Sequence, residues 1–412
     1  MAHHPEAVYQ WTKEVTISLP TLSRSQAAVL ALWVIGMVVT RSCGLTAVSA
    51  LIAAWQHRQE NTVRQQLREF YQEAAAKAGT QRRAVIVEPC FVWLLRWVLR
   101  GYVGRQVALA LDASSLDDRF VVLAISVVYR SCAIPVAWAV LPAGQKGAWR
   151  DHWLRLLGLL APAIPADWLV IVLADRGLYA KWLFQAIVEP GWHPFLRVNR
   201  QGLFRPAGQD DFRPLSSVVP APGCQWVGRG SAFVTPECRL ECTLAACWAD
   251  GCTDPWLILT DLPPEAADAA WYGLRAWIEQ SFKEIKRGGW QWQATRMSDP
   301  ARVSRLWLTI AVATLWLVRV GGEAEAAAEA ETDAPVGTIL RLTPELRARR
   351  RQRRASQLRE VGVVRRGWTR VMVALLEHAP LPLGAFRPEP WPVSPPLPAV
   401  SGPPAPPIAR AA

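Results

Sequence analysis

Three apolar runs standing almost end to end constrain this chain more than any other feature. They are RQVALALDAS (105–114), RFVVLAISVVYR (119–130) and AIPVAWAVLP (133–142). All three are rich in β-branched and other apolar residues. Links of a few residues suit antiparallel neighbours, because a parallel pair needs a crossover of a dozen residues or more. Downstream, WRDHWLRLLGLLAP reads as a helix, DWLVIVLADRG (167–177) as a fourth buried strand, AKWLFQAIVEP as a helix and HPFLRVNR as a further strand. Antiparallel strands followed by alternating helices and strands describe a mixed α/β sheet with helices packed on it.

The flanks have a different character. Residues 1–100 read as a helical N-terminal domain: apolar runs at 27–40 and 45–55, then TVRQQLREFYQEAAAKAG, rich in good helix formers and closed by Gly79. Scattered arginines suit a DNA-docking module, although a plain helical bundle gives the same pattern and no helix-turn-helix spacing stands out. The α/β domain is expected over 101–320. A β-rich insertion at 201–262 carries many Gly, Pro and Cys residues, and PWLILTDLP near its end returns to a core strand ahead of a helix over 267–286. Beyond it come an acidic, alanine-rich connector (321–336), a basic helical region (337–380) and a proline-rich tail (381–412) expected to be disordered.

Charge narrows the choice of partner. The chain carries a net +12, and residues 341–370 hold eleven arginines against Glu345 and Glu360. Such a block meets phosphate, and nucleic acid comes before an anionic membrane; an exposed basic helix without a specific partner is the alternative. AAVLALWVIGMVVT (27–40) and LWLTIAVATLWLV (306–318) fall short of the roughly 18 apolar residues of a span. They read as buried helices, and no membrane partner is expected. The N-terminal stretch lacks a basic segment followed by an apolar run and a small-residue cleavage site, so the expected compartment is the cytosol. There the eight cysteines read as thiols. Cys238, Cys242, Cys247 and Cys252 form no Cys-x-x-Cys knuckle and have no histidine beside them, which favours ordinary thiols over zinc.

The segment WYGLRAWIEQSFKEIKRGGW (271–290) carries the most pointed pattern. At about 100° per residue, Tyr272, Arg275, Glu279 and Lys286 fall within about 60° of one another on a helix, beside an apolar face of Leu274, Ile278, Phe282 and Ile285. Glu284 lies about 140° from Glu279 and faces elsewhere. Helix-spaced Arg/Glu and Glu/Lys pairs on a solvated face would look the same, at a few tenths of a kcal/mol each. Two further acids change the weighting. Asp112 follows VALAL, and Asp175 ends LVIVLA just before Arg176 and Gly177. Strand ends are where sheet proteins present functional groups, although a lone Asp there is commonly a turn former.

Three carboxylates from two strands and a helix make a site for hard divalent cations. Mg²⁺ takes oxygen ligands and keeps several waters, and two such ions can activate an attacking oxygen and stabilise the leaving one in an in-line phosphoryl displacement. Arg275 and Lys286 would hold DNA phosphates beside the metals, and Tyr272 would donate to a phosphate oxygen. Without metal, close carboxylates repel and their pKa values are expected to rise.

With ALDAS and LADRG upstream, the Tyr, two residues, Arg, three residues, Glu, six residues, Lys signature resembles that of the insertion-sequence-four family of DDE transposases. The resemblance covers about residues 105–320. It implies a ribonuclease-H-like core interrupted by a β-rich insertion, with Asp112, Asp175 and Glu279 binding two Mg²⁺ ions for which Mn²⁺ can substitute. It implies nicking at transposon ends, hairpin formation by the freed 3′-OH and joining to target DNA, within a synaptic homodimer. Tyr272, Arg275 and Lys286 would contact phosphates near the hairpin. Family members also hold a flipped base against tryptophan; Trp226, Trp248 and Trp256 are candidates, with core packing the plainer reading of each. Two other readings stay open: a catalytically silent DNA-binding protein derived from such an enzyme, and a ribonuclease-H-like nuclease acting by hydrolysis alone.

Overall fold

The leading apolar runs form strands where their patterning places them: β1 (Gln106–Leu116), β2 (Phe120–Tyr129) and β3 (Cys132–Pro142). The computed structural model describes residues 4–78, 82–102, 104–145, 149–249, 251–333 and 361–392. It has a mixed α/β fold with flanking helices and a helical N-terminal region. Two compact units share the chain. One comprises Met1–Arg105, Ala113–Trp168 and Ala276–Glu389; the other comprises Gln106–Asp112, Leu169–Arg275 and the chain from Pro390.

In the first unit, β2 and β3 form an antiparallel hairpin in which Tyr129 faces Cys132. The two turn residues, Arg130 and Ser131, both have positive φ (44° and 63°), as a tight hairpin turn matching strand twist demands. Neither is glycine, so the turn needs outside support. Arg130 supplies it with a two-pronged pair to Glu329 (2.8 and 3.0 Å) and an Nε–H bond to the Arg387 carbonyl (2.7 Å).

The same unit holds α1 (His4–Ser18), α2 (Arg24–Thr40), α3 (Leu45–Gln56) and α4 (Glu60–Tyr71), together with α5 (Pro89–Leu99) and α6 (Trp149–Leu160), which pack on the hairpin. Ser23 starts α2 with a capping box, accepting from the Gln26 N–H while the Gln26 side chain accepts from its own. The N-terminal helices are not a module apart, as a separate 1–100 domain would require. Trp11 of α1 stacks on Trp316 with centroids 4.2 Å apart. Trp97 and Arg319 both donate to Glu14 Oε1 at 2.9 Å. Arg305, also buried, donates to the carbonyls of Val85 and Tyr71 (2.9 Å each).

The second unit is also built on a sheet. Its strands β4 (Leu169–Ala174) and β5 (His193–Arg197) are joined through the helix α7 (Lys181–Val188). β1 pairs parallel with β4, and β4 parallel with β5. The β-rich excursion does not form a separate body. Its strands β6 (Leu203–Pro206), β7 (Arg213–Pro214), β8 (Gln225–Ala232) and β9 (Leu240–Cys247) are antiparallel ribbons that extend the same sheet. They join it through β10 (Trp256–Thr260), which lies between β5 and β9. β10 is thus a core strand, and the excursion closes before it rather than at residue 262.

Chain-end expectations need correction. The helix α9 (Pro300–Asp333) runs straight through most of the proposed acidic connector, because EAEAAAEAE is a strong helix former. Its Pro300–Ala330 stretch is also long and apolar enough to cross a membrane, unlike the shorter run read from sequence. However, 89% of that apolar window is buried inside the protein, as befits a core helix. RARRRQRR and the rest of 334–360 lie outside the described residues. The basic region resumes as α10 (Val363–Leu376). The proposed disordered tail is, over 381–392, extended chain fastened by specific contacts: Phe386 is fully buried, and the Trp316 indole donates to the Pro382 carbonyl (2.8 Å). Residues 393–412 lie outside the described part.

Candidate active site

Parallel register brings the two aspartates together. Leu111 of β1 faces Ala174 of β4, so Asp112 and Asp175 are the next residues on adjacent strands, where strands lie about 4.8 Å apart. Ala174 in turn faces Leu196 of β5, which brings Arg197 level with Asp175 on the following strand. Three neighbouring strands therefore present Asp, Asp and Arg at one level. Beyond β4 the chain turns at once, the Leu178 N–H donating to the Asp175 carbonyl (2.8 Å).

Tyr272 and Arg275 reach this edge from a helical stretch that is not the uniform helix expected over 267–286. Ala269–Arg275 is 3₁₀, Ala276–Lys283 (α8) is α-helical and Glu284–Gly288 is a π turn. The 100° arithmetic therefore fails along the segment. In a 3₁₀ helix residues three apart eclipse, so Tyr272 and Arg275 lie one above the other more closely than α geometry would place them. Asp268 starts this turn, its carboxylate accepting from the Ala270 N–H (2.8 Å). At the other end the Glu284 carbonyl accepts from the N–H groups of both Gly289 and Trp290 (2.7 and 3.1 Å).

Arg275 is only 7% exposed and sits between the acids. Its Nη2 lies 3.2 Å from Asp112 Oδ2 and 3.6 Å from Asp175 Oδ2. The Tyr272 hydroxyl donates to Asp175 Oδ1 at 3.2 Å. The ring of Tyr272 is packed edge-on by Trp256 (centroids 5.6 Å apart), and the Arg197 guanidinium lies 5.9 Å from its centre. Burial alone would raise the Asp175 carboxyl. The Arg176 backbone N–H, the Arg275 guanidinium, the Tyr272 hydroxyl and Arg197 outweigh it, and the pKa falls below the usual carboxylate value. The expected rise is therefore reversed at Asp175, first by the Arg176 backbone N–H and then by the Arg275 guanidinium beside it. Burial pushes the Tyr272 hydroxyl well upward, so it remains a proton donor at neutral pH.

The second unit thus gathers Asp112, Asp175, Tyr272 and Arg275. Glu279 and Lys286 belong to the first unit: Glu279 is exposed in the first turn of α8 and Lys286 is half-buried on the π turn. Sequence reading missed Arg197 and the basic rim beside it. Arg176 pairs with Asp254 (3.4 Å), as does Arg200 (3.7 Å), and Arg200 lies over the Trp248 ring (4.9 Å). Strand register is the signal that would have found Arg197, since it ends β5 as Asp175 follows β4. Of the three tryptophans singled out, Trp226, Trp248 and Trp256 are all half-buried and none is sealed in the core.

The donor chemistry suits a hard cation. Among the described residues no three His, Cys, Asp or Glu side chains form a metal-binding group. Two carboxylates nevertheless converge on one positive charge, and Mg²⁺ commonly needs only one or two carboxylates with water and substrate phosphate. The four clustered cysteines do not share an environment: Cys242 is buried while Cys238 and Cys252 are exposed.

Comparison with known families adds one finding. Residues 127–316 match the transposase DDE domain family, a span that includes Asp175, Tyr272, Arg275, Glu279 and Lys286 and begins after Asp112. The match supports a DDE transposase, a class of metal-dependent DNA-processing enzymes. Comparison with curated proteins gives no match.

Proposed function

We propose that this chain is a DNA transposase of the insertion-sequence-four type, cutting the ends of its own element and joining them to target DNA. The observation that carries the proposal is the pair of aspartates at one level on adjacent parallel strands around one cationic group, in a chain matching the DDE domain over 127–316. Asp112, Asp175 and Glu279 would hold the divalent ions, Mg²⁺ or Mn²⁺ in its place. When bound, those ions activate the attacking oxygen and stabilise the leaving one.

The remaining roles fall to side chains that bind phosphate. Arg275 offers a planar donor fork, Lys286 a point charge and Tyr272 a hydroxyl whose proton is firmly held. They grip the strand while water breaks the P–O3′ bond at the element end. The freed 3′-OH then attacks the opposite strand, forming a hairpin and releasing the flank. Opening the hairpin restores the 3′-OH that joins the target. Work on two ends calls for a synaptic homodimer, acting in the cytoplasm where the DNA lies.

Incubating wild type and Glu279→Gln with duplex bearing the inverted repeat that borders the gene, with Mg²⁺, tests this on a denaturing gel. Metal-dependent nicks and hairpins from the wild type alone are expected. Binding without cleavage by both proteins would point to a silent DNA-binding protein, and nicks without hairpins or joined products to a hydrolytic nuclease. A second expectation concerns the arginine block. Deleting 341–360 leaves α10 in place and should flatten the dependence of log K on log salt, by about one unit for each phosphate that the block neutralises. An unchanged slope would remove the block from the DNA interface.

A further inference from the structure

The position of Arg275 contains more than a phosphate contact. A guanidinium reserved for DNA would face solvent in the DNA-free protein, yet Arg275 is 7% exposed and directed at Asp112 and Asp175. Its Nη2 lies 3.2 Å from Asp112 Oδ2 and 3.6 Å from Asp175 Oδ2, longer than the roughly 2.7–2.9 Å usual for charge-assisted bonds. Tyr272 holds the other oxygen of Asp175, so the carboxylate keeps its orientation independently of Arg275.

We propose that Arg275 is the resident counter-ion of the Asp112–Asp175 pair, yielding that position to a divalent cation and moving to a DNA phosphate as it does so. The proposal rests on the metal-site reading given above. Its physical basis is simple. Two carboxylates at one level on adjacent strands repel unless a positive charge lies between them. The guanidinium meets that need; Mg²⁺ or Mn²⁺, a doubly charged ion that takes oxygen ligands, would take it over. Two cations cannot share the space, so metal entry and Arg275 departure are one exchange. Metal therefore makes the phosphate grip available only at a site ready to cut.

The test needs neither DNA nor turnover. Full-length wild type, Arg275→Gln and Asp175→Asn are titrated with Mn²⁺ by calorimetry, and their melting temperatures are read with and without the ion. Arg275→Gln should bind Mn²⁺ on the order of tenfold more tightly than wild type, because no resident charge has to leave. Its metal-free melting temperature should fall, and its rise on adding Mn²⁺ should exceed that of wild type. Equal affinities and equal metal-free melting would overturn the counter-ion role while leaving the metal site standing. Absence of Mn²⁺ binding in both wild type and Arg275→Gln, or binding by Asp175→Asn equal to wild type, would overturn the metal-site reading and the proposal with it. Should Arg275→Gln fail to fold, wild type alone decides. Phenylglyoxal labelling of Arg275, followed by mass spectrometry, should be slow without Mn²⁺ and at least several-fold faster with it. Labelling indifferent to the ion would overturn the exchange.

Discussion

Asp175→Asn is expected to lower metal-dependent strand cleavage by about a thousandfold or more while leaving DNA binding intact. Charge stabilisation by a bound metal contributes several kcal/mol to such a displacement, and each 1.36 kcal/mol is a tenfold change in rate. The fold should tolerate the change. Asparagine has the same shape, its amide oxygen can still accept a hydrogen bond, and the Asp175 main-chain carbonyl that accepts from Leu178 in the turn is unchanged. DNA binding draws on phosphate contacts made by other residues, and removing a negative charge beside phosphate can only favour it. Asp254→Asn is the matched control. Asp254 pairs with Arg176 and Arg200 on the same rim and is not one of the proposed metal ligands, so cleavage should stay within a few-fold of wild type. Gel resolution of cleaved ends together with fluorescence anisotropy separates the two quantities. Cleavage by Asp175→Asn at the wild-type rate would remove Asp175 from the chemistry.

Much of the sheet was legible because its signals are local. RFVVLAISVVYR and AIPVAWAVLP have the length, the β-branched content and the short link that a hairpin needs, and β2 and β3 fall on them. LVIVLA is the buried parallel strand it resembles, with a polar residue at its end where loops begin. Acidity, by contrast, misled at 321–336. A run of Glu and Ala is equally a linker composition and a helix composition, and whether the preceding helix ends is decided by a cap that the sequence does not contain. Proline misled in the same way at 381–392. Prolines forbid helix there, but they do not forbid an extended chain whose Phe386 and Leu381 are buried.

The candidate site was legible in its residues and not in its state. Asp112, Asp175, Tyr272 and Arg275 could be chosen because acids following apolar strand runs and a polar stripe next to an apolar one are uncommon together, although β1 continues past Asp112 to Leu116 and only Asp175 stands at a strand end. Their mutual arrangement depends on parallel register between strands far apart in sequence, Leu111 facing Ala174, and on a switch from 3₁₀ to α to π geometry, which composition does not announce. Reasoning from the acids alone therefore predicted repulsion and raised pKa values. Arg275 lies between them, and the Asp175 value moves the other way.

The largest stability effect is expected at two glycines that the helical pattern gives no reason to notice. Gly321 on α9 and Gly367 on α10 stand where the backbones of these helices touch: a Cβ on Gly367 would collide with the Leu317 carbonyl, and one on Gly321 with the carbonyl of Val363. Interior glycine costs a helix about 1 kcal/mol relative to alanine, so propensity alone predicts that Gly367→Ala stabilises the protein. Packing predicts the reverse. The collision partners are main-chain atoms that cannot rotate away, and overpacking of this kind costs about 1–3 kcal/mol, sometimes more. Gly367→Leu should cost more again and free α10 from α9, exposing it to limited proteolysis. The consequence extends beyond the two helices. Trp368, the next residue, donates its indole N–H to the Val38 carbonyl (2.9 Å) and carries the Arg41 guanidinium over its ring (5.4 Å). Detaching α10 would therefore loosen the end of α2. Thermal melts of the two variants decide the matter: a rise for Gly367→Ala would mean that propensity outweighs packing and that the helices have room to part at no cost.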